Sequence, residues 1–201
     1  MADTARWGYD AFNRDYFSQL GKQGVVLDER FNGGGSVADY VIDLLDRPLL
    51  SYWATREGQP FASPNASISG PKAMVINELA GSGGDALPLF FQRRKLGPVV
   101  GKRTWGGLIG IYDYPALRDG GAVTSPRVAI FSPDGAWEVE NEGVTPDIEV
   151  EMTPRAVANG QDPQLESAVA LVLAELDARP APKGERPGPA RRAVKDDSTS
   201  S

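Results

Sequence analysis

The sequence predicts an α/β fold with a mainly parallel central sheet and flanking helices. Two apolar runs, residues 24–28 and 72–77, are each followed by a glycine-rich stretch and then an amphipathic segment, and a third run spans 97–102. Alternation of strand, glycine loop and helix favours a parallel sheet covered by helices. At 201 residues, with 41% hydrophobic content and a net charge of −6, the chain suits one domain with a proper core.

Composition also excludes function classes. There is no long basic run to neutralise phosphates, so nucleic acid is not an expected partner. The absence of cysteine removes disulfides, thiolate metal sites and cysteine nucleophiles, and fits a reducing compartment. No segment approaches the roughly 20 apolar residues of a membrane span, and no basic and apolar leader is evident, so a cytoplasmic protein without membrane contact is expected. The chain also has no histidine, the usual base for a hydroxyl nucleophile and the commonest metal ligand. No metal or cofactor is expected.

In chain order, Trp7, Phe12, Tyr16, Phe17 and Leu20 recur at near-helical spacing, which predicts a helix over 8–21 with Trp7 and Tyr9 as packing groups. Residues 24–28 form a continuous apolar run of the kind found in a central strand covered on both faces. Glu29 to Ser36 contain Gly33-Gly34-Gly35, and a helix over 37–45 follows, with Val41, Leu44 and Leu45 on its apolar face. Pro48 to Arg56 reads as a strand, 57–60 as a turn and 61–70 as a polar loop. The second buried strand, 72–77, leads into Glu78-Leu79-Ala80-Gly81-Ser82-Gly83-Gly84-Asp85 and a helix over 86–96.

These two glycine loops carry the candidate chemistry. Ser82 lies on a turn at a helix N-terminus, where free N–H groups and the dipole favour a developing anion. The same spacing, Ser82 to Asp85, also fits a capping box. The triple glycine lets main-chain N–H groups approach a ligand, or is a flexible turn; it lacks the Gly-Lys-Ser/Thr ending of a phosphate loop. Two such loops at the C-terminal ends of parallel strands converge on one crevice.

Beyond the third strand, residues 122–124, 127–131 and 137–140 read as a β-meander with turns at Asp119-Gly120-Gly121 and 132–135, and 148–150 as a strand. A terminal amphipathic helix spans 162–176. We expect one domain over 1–178 and a disordered tail rich in proline, charge and serine over 179–201.

Four stretches, residues 30–35, 77–85, 101–107 and 140–147, occur in the order seen in the tricorn proteases and their relatives, the C-terminal processing peptidases. From about Trp7 to Leu176 the chain resembles the C-terminal catalytic subdomain of a tricorn protease. The resemblance implies a crotonase-like α/β fold and a serine peptidase that acts on peptides in a homo-oligomer. It matches Ser82 to the nucleophile, the N–H groups of Gly35 and Gly83 to the oxyanion hole, and Glu140 to the acid of a tetrad. There a glutamate supports a serine that orients the catalytic histidine. Asp85 is expected to remain a helix-start residue.

Two departures bear on activity. In the tricorn proteases the histidine lies in an earlier subdomain, so the resemblance implies a partner: the histidine-bearing N-terminal part of such a protease. In the processing peptidases a lysine follows the Thr-aromatic-Gly motif, but Gly107 stands at that position. Lys102 is the nearest substitute in sequence, although a lysine ending a strand is ordinarily a solvated charge. The isolated chain is therefore expected to be inactive. Two other readings are a peptide-binding or assembly module that has lost its base, and a crotonase-type acyl-CoA enzyme that needs no serine nucleophile.

Overall fold

The computed structural model describes residues 1–113, 115–180 and 182–188. Helix α1 (Arg6–Phe17) leads to strand β1 (Val25–Asp28), helix α2 (Ala38–Leu45) and the antiparallel pair β2 (Ser51–Trp53) and β3 (Phe61–Ser63). Then come β4 (Lys72–Ile76), α3 (Gly83–Arg93) and β5 (Val99–Gly101). An antiparallel pair, β6 (Gly110–Asp113) and β7 (Thr124–Val128), precedes β8 (Ile148–Glu149), α4 (Pro154–Ala158) and α5 (Pro163–Ala178).

The central sheet has the order β1-β4-β5-β8, and all its pairings are parallel. Strand β4 is buried along its whole length, which explains its apolar run from Ala73 to Ile76. Its residues alternate between two cores. Met74 and Ile76 pack with Phe12, Val41, Leu44, Leu87 and Phe91 from α1, α2 and α3. Ala73 and Val75 pack with Ala168 and Val172 of α5. The domain is thus a three-layer sandwich, with the C-terminal ends of β1 and β4 opening onto the two glycine loops.

Arg30, just past β1, fixes that end of the sheet to α5. Its guanidinium reaches Asp28 at 2.6 Å and Asp162 at 2.7 Å, and also donates to Gln164. Asp162 accepts the N–H of Leu165 as the cap of α5, and its carboxyl is held below the ordinary value chiefly by the hydrogen bond from Arg30.

Several elements differ from the expectation. β1 is an edge strand of the sheet, because the chain passes to the far side of β4 for β5 and β8. Residues 61–63 belong to a strand because Phe61, Ala62 and Ser63 pair with Trp53, Tyr52 and Ser51. Trp7 is 77% exposed, since the buried face of α1 is carried by Gly8, Phe12 and Tyr16. Residues 129–140 contain one isolated bridge, Phe131 to Trp137, so the flanking β layer consists mainly of β6 and β7. α4, capped by Thr153, is short and has no buried residue, hence its weak signature. Pro182 accepts the Tyr52 hydroxyl; residues 181 and 189–201 of the expected tail lie outside the described residues.

Phe91, beneath β4, is the largest fully buried side chain among the described residues. Phe91→Ala is expected to lower unfolding stability by about 3–5 kcal/mol. The shift of a urea unfolding midpoint at unchanged slope measures it.

Candidate active site

Three loops meet above the sheet, and main-chain contacts join them. The loop after β1 meets the loop after β4 where Gly81 N donates to Asn32 O at 3.0 Å and Phe31 N donates to Asn77 Oδ1 at 2.9 Å. The loop after β5 closes the third side: Trp105 N donates to Ala80 O at 2.8 Å, and Ser82 N donates to Gly107 O at 3.0 Å.

Ser82 occupies the N-cap position of α3 with φ 56° and ψ −116°, a backbone conformation that a residue with a side chain rarely adopts. Its hydroxyl makes no capping hydrogen bond, so the capping-box arrangement is not formed. Gly34 explains how closely the first loop approaches. A Cβ there would stand 2.7 Å from Ser82 Cβ and 3.0 Å from its Oγ. Gly83 is confined in the same way, because its Cβ would lie 1.9 Å from Thr4 Oγ1 and 2.8 Å from Gly35 N. The Gly35 and Gly83 backbones therefore come together beside Ser82. Neither N–H has an acceptor among the described residues.

Two carboxylates hold the third loop. Asp85, fully buried in the first turn of α3, accepts Gly106 N at 2.8 Å and Gly107 N at 3.1 Å. It is thus a bracket for the loop that receives Ser82 N, in addition to starting the helix. Glu140 Oε2 accepts both Leu108 N and Ile109 N at 2.8 Å. Lys102 points elsewhere: its ammonium pairs with Glu149 and with Glu151 at 2.8 Å, and the hydrogen bonds to these carboxylates raise its pKa. A lysine held protonated in this way is no base for Ser82.

A model of peptidase family S41 matches residues 8–150. The chain belongs to this family. Among curated relatives, it is 40% identical over 181 residues to tricorn protease homolog 1 of Streptomyces coelicolor, covering 90% of this chain and 17% of that protein. It is 37% identical over 176 residues to the tricorn protease of Thermoplasma acidophilum, covering 88% and 16%. A tricorn protease crystal structure superposes with a TM-score of 0.82 at 36% identity, over 88% of this chain and 17% of that one. The chain thus spans about a sixth to a fifth of the length of the curated relatives it matches.

Within this S41 fold, Ser82, Gly35 and Gly83 are adjacent, and Glu140 anchors the loop whose Gly107 O receives Ser82 N. Sequence reasoning missed the second role of Asp85, because its partners lie 21 and 22 residues away and donate through the main chain. It missed Thr4 for a similar reason: Thr4 is fully buried and reads as an ordinary polar residue near the start of a helix. Glu29 was also passed over. Its carboxyl is fully buried at the end of β1, and neither oxygen has a hydrogen-bond partner. Burial pushes its pKa well above the ordinary 4.5, with Asp85 and Asp28 adding to the rise and the Asn32 side chain and Met1 ammonium opposing it. Asn32 Nδ2 is itself left without a partner in hydrogen-bonding geometry.

Two predictions follow from these carboxyls. Asp85→Ala leaves two loop N–H groups unpaired and is expected to cost about 2–4 kcal/mol in unfolding stability, with Asp85→Asn intermediate. Glu29 keeps its proton in the folded state where the unfolded chain has lost it, so stability falls as pH rises above about 4.5 toward its higher folded pKa. Glu29→Gln should flatten the pH dependence of Tm across that interval and raise Tm near neutrality.

Proposed function

We propose that this chain is the nucleophile-bearing part of a serine peptidase that hydrolyses peptides through an acyl-enzyme. The observation that carries this reading is the Ser82 hydroxyl, on a strained backbone and free of capping duty, beside two glycine N–H groups without acceptors among the described residues. In this mechanism Ser82 Oγ attacks the scissile carbonyl carbon. The carbonyl oxygen becomes an oxyanion and is received by Gly35 N–H and Gly83 N–H, an arrangement needing little reorganisation. The Ser82 proton passes to a histidine, which then gives it to the leaving amine; water, activated by the same histidine, releases the acyl group.

This chain has no histidine, so the base comes from the N-terminal part of a tricorn-type protease, in cis or as a partner. Glu140 acts as the tetrad acid. Oε2 is committed to Leu108 N and Ile109 N, which fixes the carboxylate plane and leaves Oε1 to support the serine that orients the histidine. The assembled enzyme works as a cytoplasmic homo-oligomer in this reading; among the described residues no helix is long and apolar enough to cross a membrane. The absence of histidine also favours a second reading, a peptide-binding module that keeps the groove but has lost catalysis.

Covalent labelling separates the two. A fluorophosphonate is expected to label Ser82 only when the chain is mixed with a histidine-bearing tricorn region that binds it, and Ser82→Ala should abolish labelling. Absence of labelling in a demonstrable complex would make the binding module the better account.

A further inference from the structure

At the end of the sheet opposite Ser82, a cavity of about 540 Å3 is bounded by the first residue of β4 and by residues at the C-terminal ends of α2, α3 and α5. A second cavity, of about 360 Å3, shares Lys72, Lys95 and Arg179 with it. Lys72 stands on the same face of β4 as Met74 and Ile76, and only 8% of it is exposed. Its ammonium donates to Gly70 O at 2.9 Å, which occupies one of its three N–H groups.

Charge around this cavity is unbalanced. Arg47, Lys72, Arg94, Lys95 and Arg179 line it, against the two carboxylates of Asp46 and Glu175. Both carboxylates are already spent, since Arg94 pairs with Asp46 and Arg179 with Glu175. Arg47 donates to Ala66 O at 3.3 Å. Among the described residues, Arg47, Lys72 and Lys95 form no ion pair. Helix C-termini attract cations, and three end here, but each carries only about half an elementary negative charge. Together they offset roughly half of the positive excess, so the helix ends alone do not account for it. Nor does composition, since the whole chain carries a net charge of −6.

Lys72 makes this excess costly. An ammonium taken out of water without a carboxylate of its own is unfavourable, and a neutral side chain of similar length would fill the position without that cost. Burial pushes its pKa below the ordinary 10.5, with the Asp46 carboxylate opposing the fall.

We propose that this cavity binds a small anion carrying two or more negative charges, of the polycarboxylate or phosphorylated class, held by Lys72, Arg47 and Lys95. Oxygens of the ligand accept the two N–H groups that Lys72 has left, and the Arg47 guanidinium offers a planar fork to a carboxylate or phosphate edge. The site is separate from the Ser82 loops and does not rest on the peptidase reading; β4 joins the two, starting at Lys72 and leading toward Ser82.

Calorimetric titration of the full chain with citrate and with pyrophosphate, at near-physiological ionic strength, tests the proposal and separates the two classes. Saturable binding of at least one of them is expected at millimolar concentration, with none for acetate. Lys72→Met, which keeps an apolar stem, should weaken binding at least about tenfold. Arg47→Gln and Lys95→Gln, at less buried positions, should each weaken it severalfold, and they decide the matter if Lys72→Met does not fold. Arg118→Gln, outside the cavity, should bind as the unaltered chain does. No saturable binding of either anion, or undiminished binding in the Arg47 and Lys95 variants, overturns the proposal. Amide shift changes on titration are expected around residues 46–48 and 70–72. Changes centred on Gly35 and Gly83 instead would place the anion beside Ser82 and overturn it as well.

Discussion

Contact between backbones, at distances that no Cβ would allow, sets the shape of the region around Ser82. Gly34 lies against the Ser82 side chain, Gly83 against Thr4 and Gly35, and Gly84 against Asn32, whose O would be 2.5 Å from an added Cβ. These contacts bring the loops after β1 and β4 into register over the sheet. They also make the positive φ of Ser82 tolerable, since hydrogen bonds from Ser82 N to Gly107 O and from Ala86 N to Ser82 O fix the residue on both sides. Strain at one residue is held by a network of main-chain bonds to several others.

Two buried carboxyls near this network behave in opposite ways. Asp85 is surrounded by donors and spends its oxygens on Gly106 N and Gly107 N, so its burial is compensated. Glu29 has no such donors, and the cheaper state for an uncompensated buried carboxyl is the protonated one. One carboxyl stabilises a loop in a defined position. The other makes the base of the first loop sensitive to pH.

The amino-acid pattern made the parallel sheet legible because its signals are local: β4 and β5 are unbroken apolar runs, and α2 and α5 have periodic faces. The glycine loops were legible as loops, and their convergence followed from the strand order expected of such folds. What remained hidden depends on partners distant in sequence. The edge position of β1 is invisible in Val25 to Asp28, since an apolar run looks the same whether one or two strands flank it. The pairing of β3 with β2 hid behind polar neighbours, and Asp85 concealed its loop contacts behind an ordinary capping position.

Under the proposed mechanism, the groups beside Ser82 supply electrophile stabilisation but not proton transfer. Gly35 and Gly83 N–H groups stand ready without any histidine, because main-chain geometry alone places them. A base has to come from a side chain, and Lys102, the lysine nearest the Thr104-Trp105-Gly106 motif in sequence, is paired with Glu149 and Glu151. In that mechanism a base could be separated from this domain without disturbing the Gly35 and Gly83 N–H groups, whereas those N–H groups cannot be separated from the fold. On the proposed reading, that asymmetry suits a division of labour in which this domain supplies nucleophile and oxyanion donors and another part of the polypeptide supplies the base.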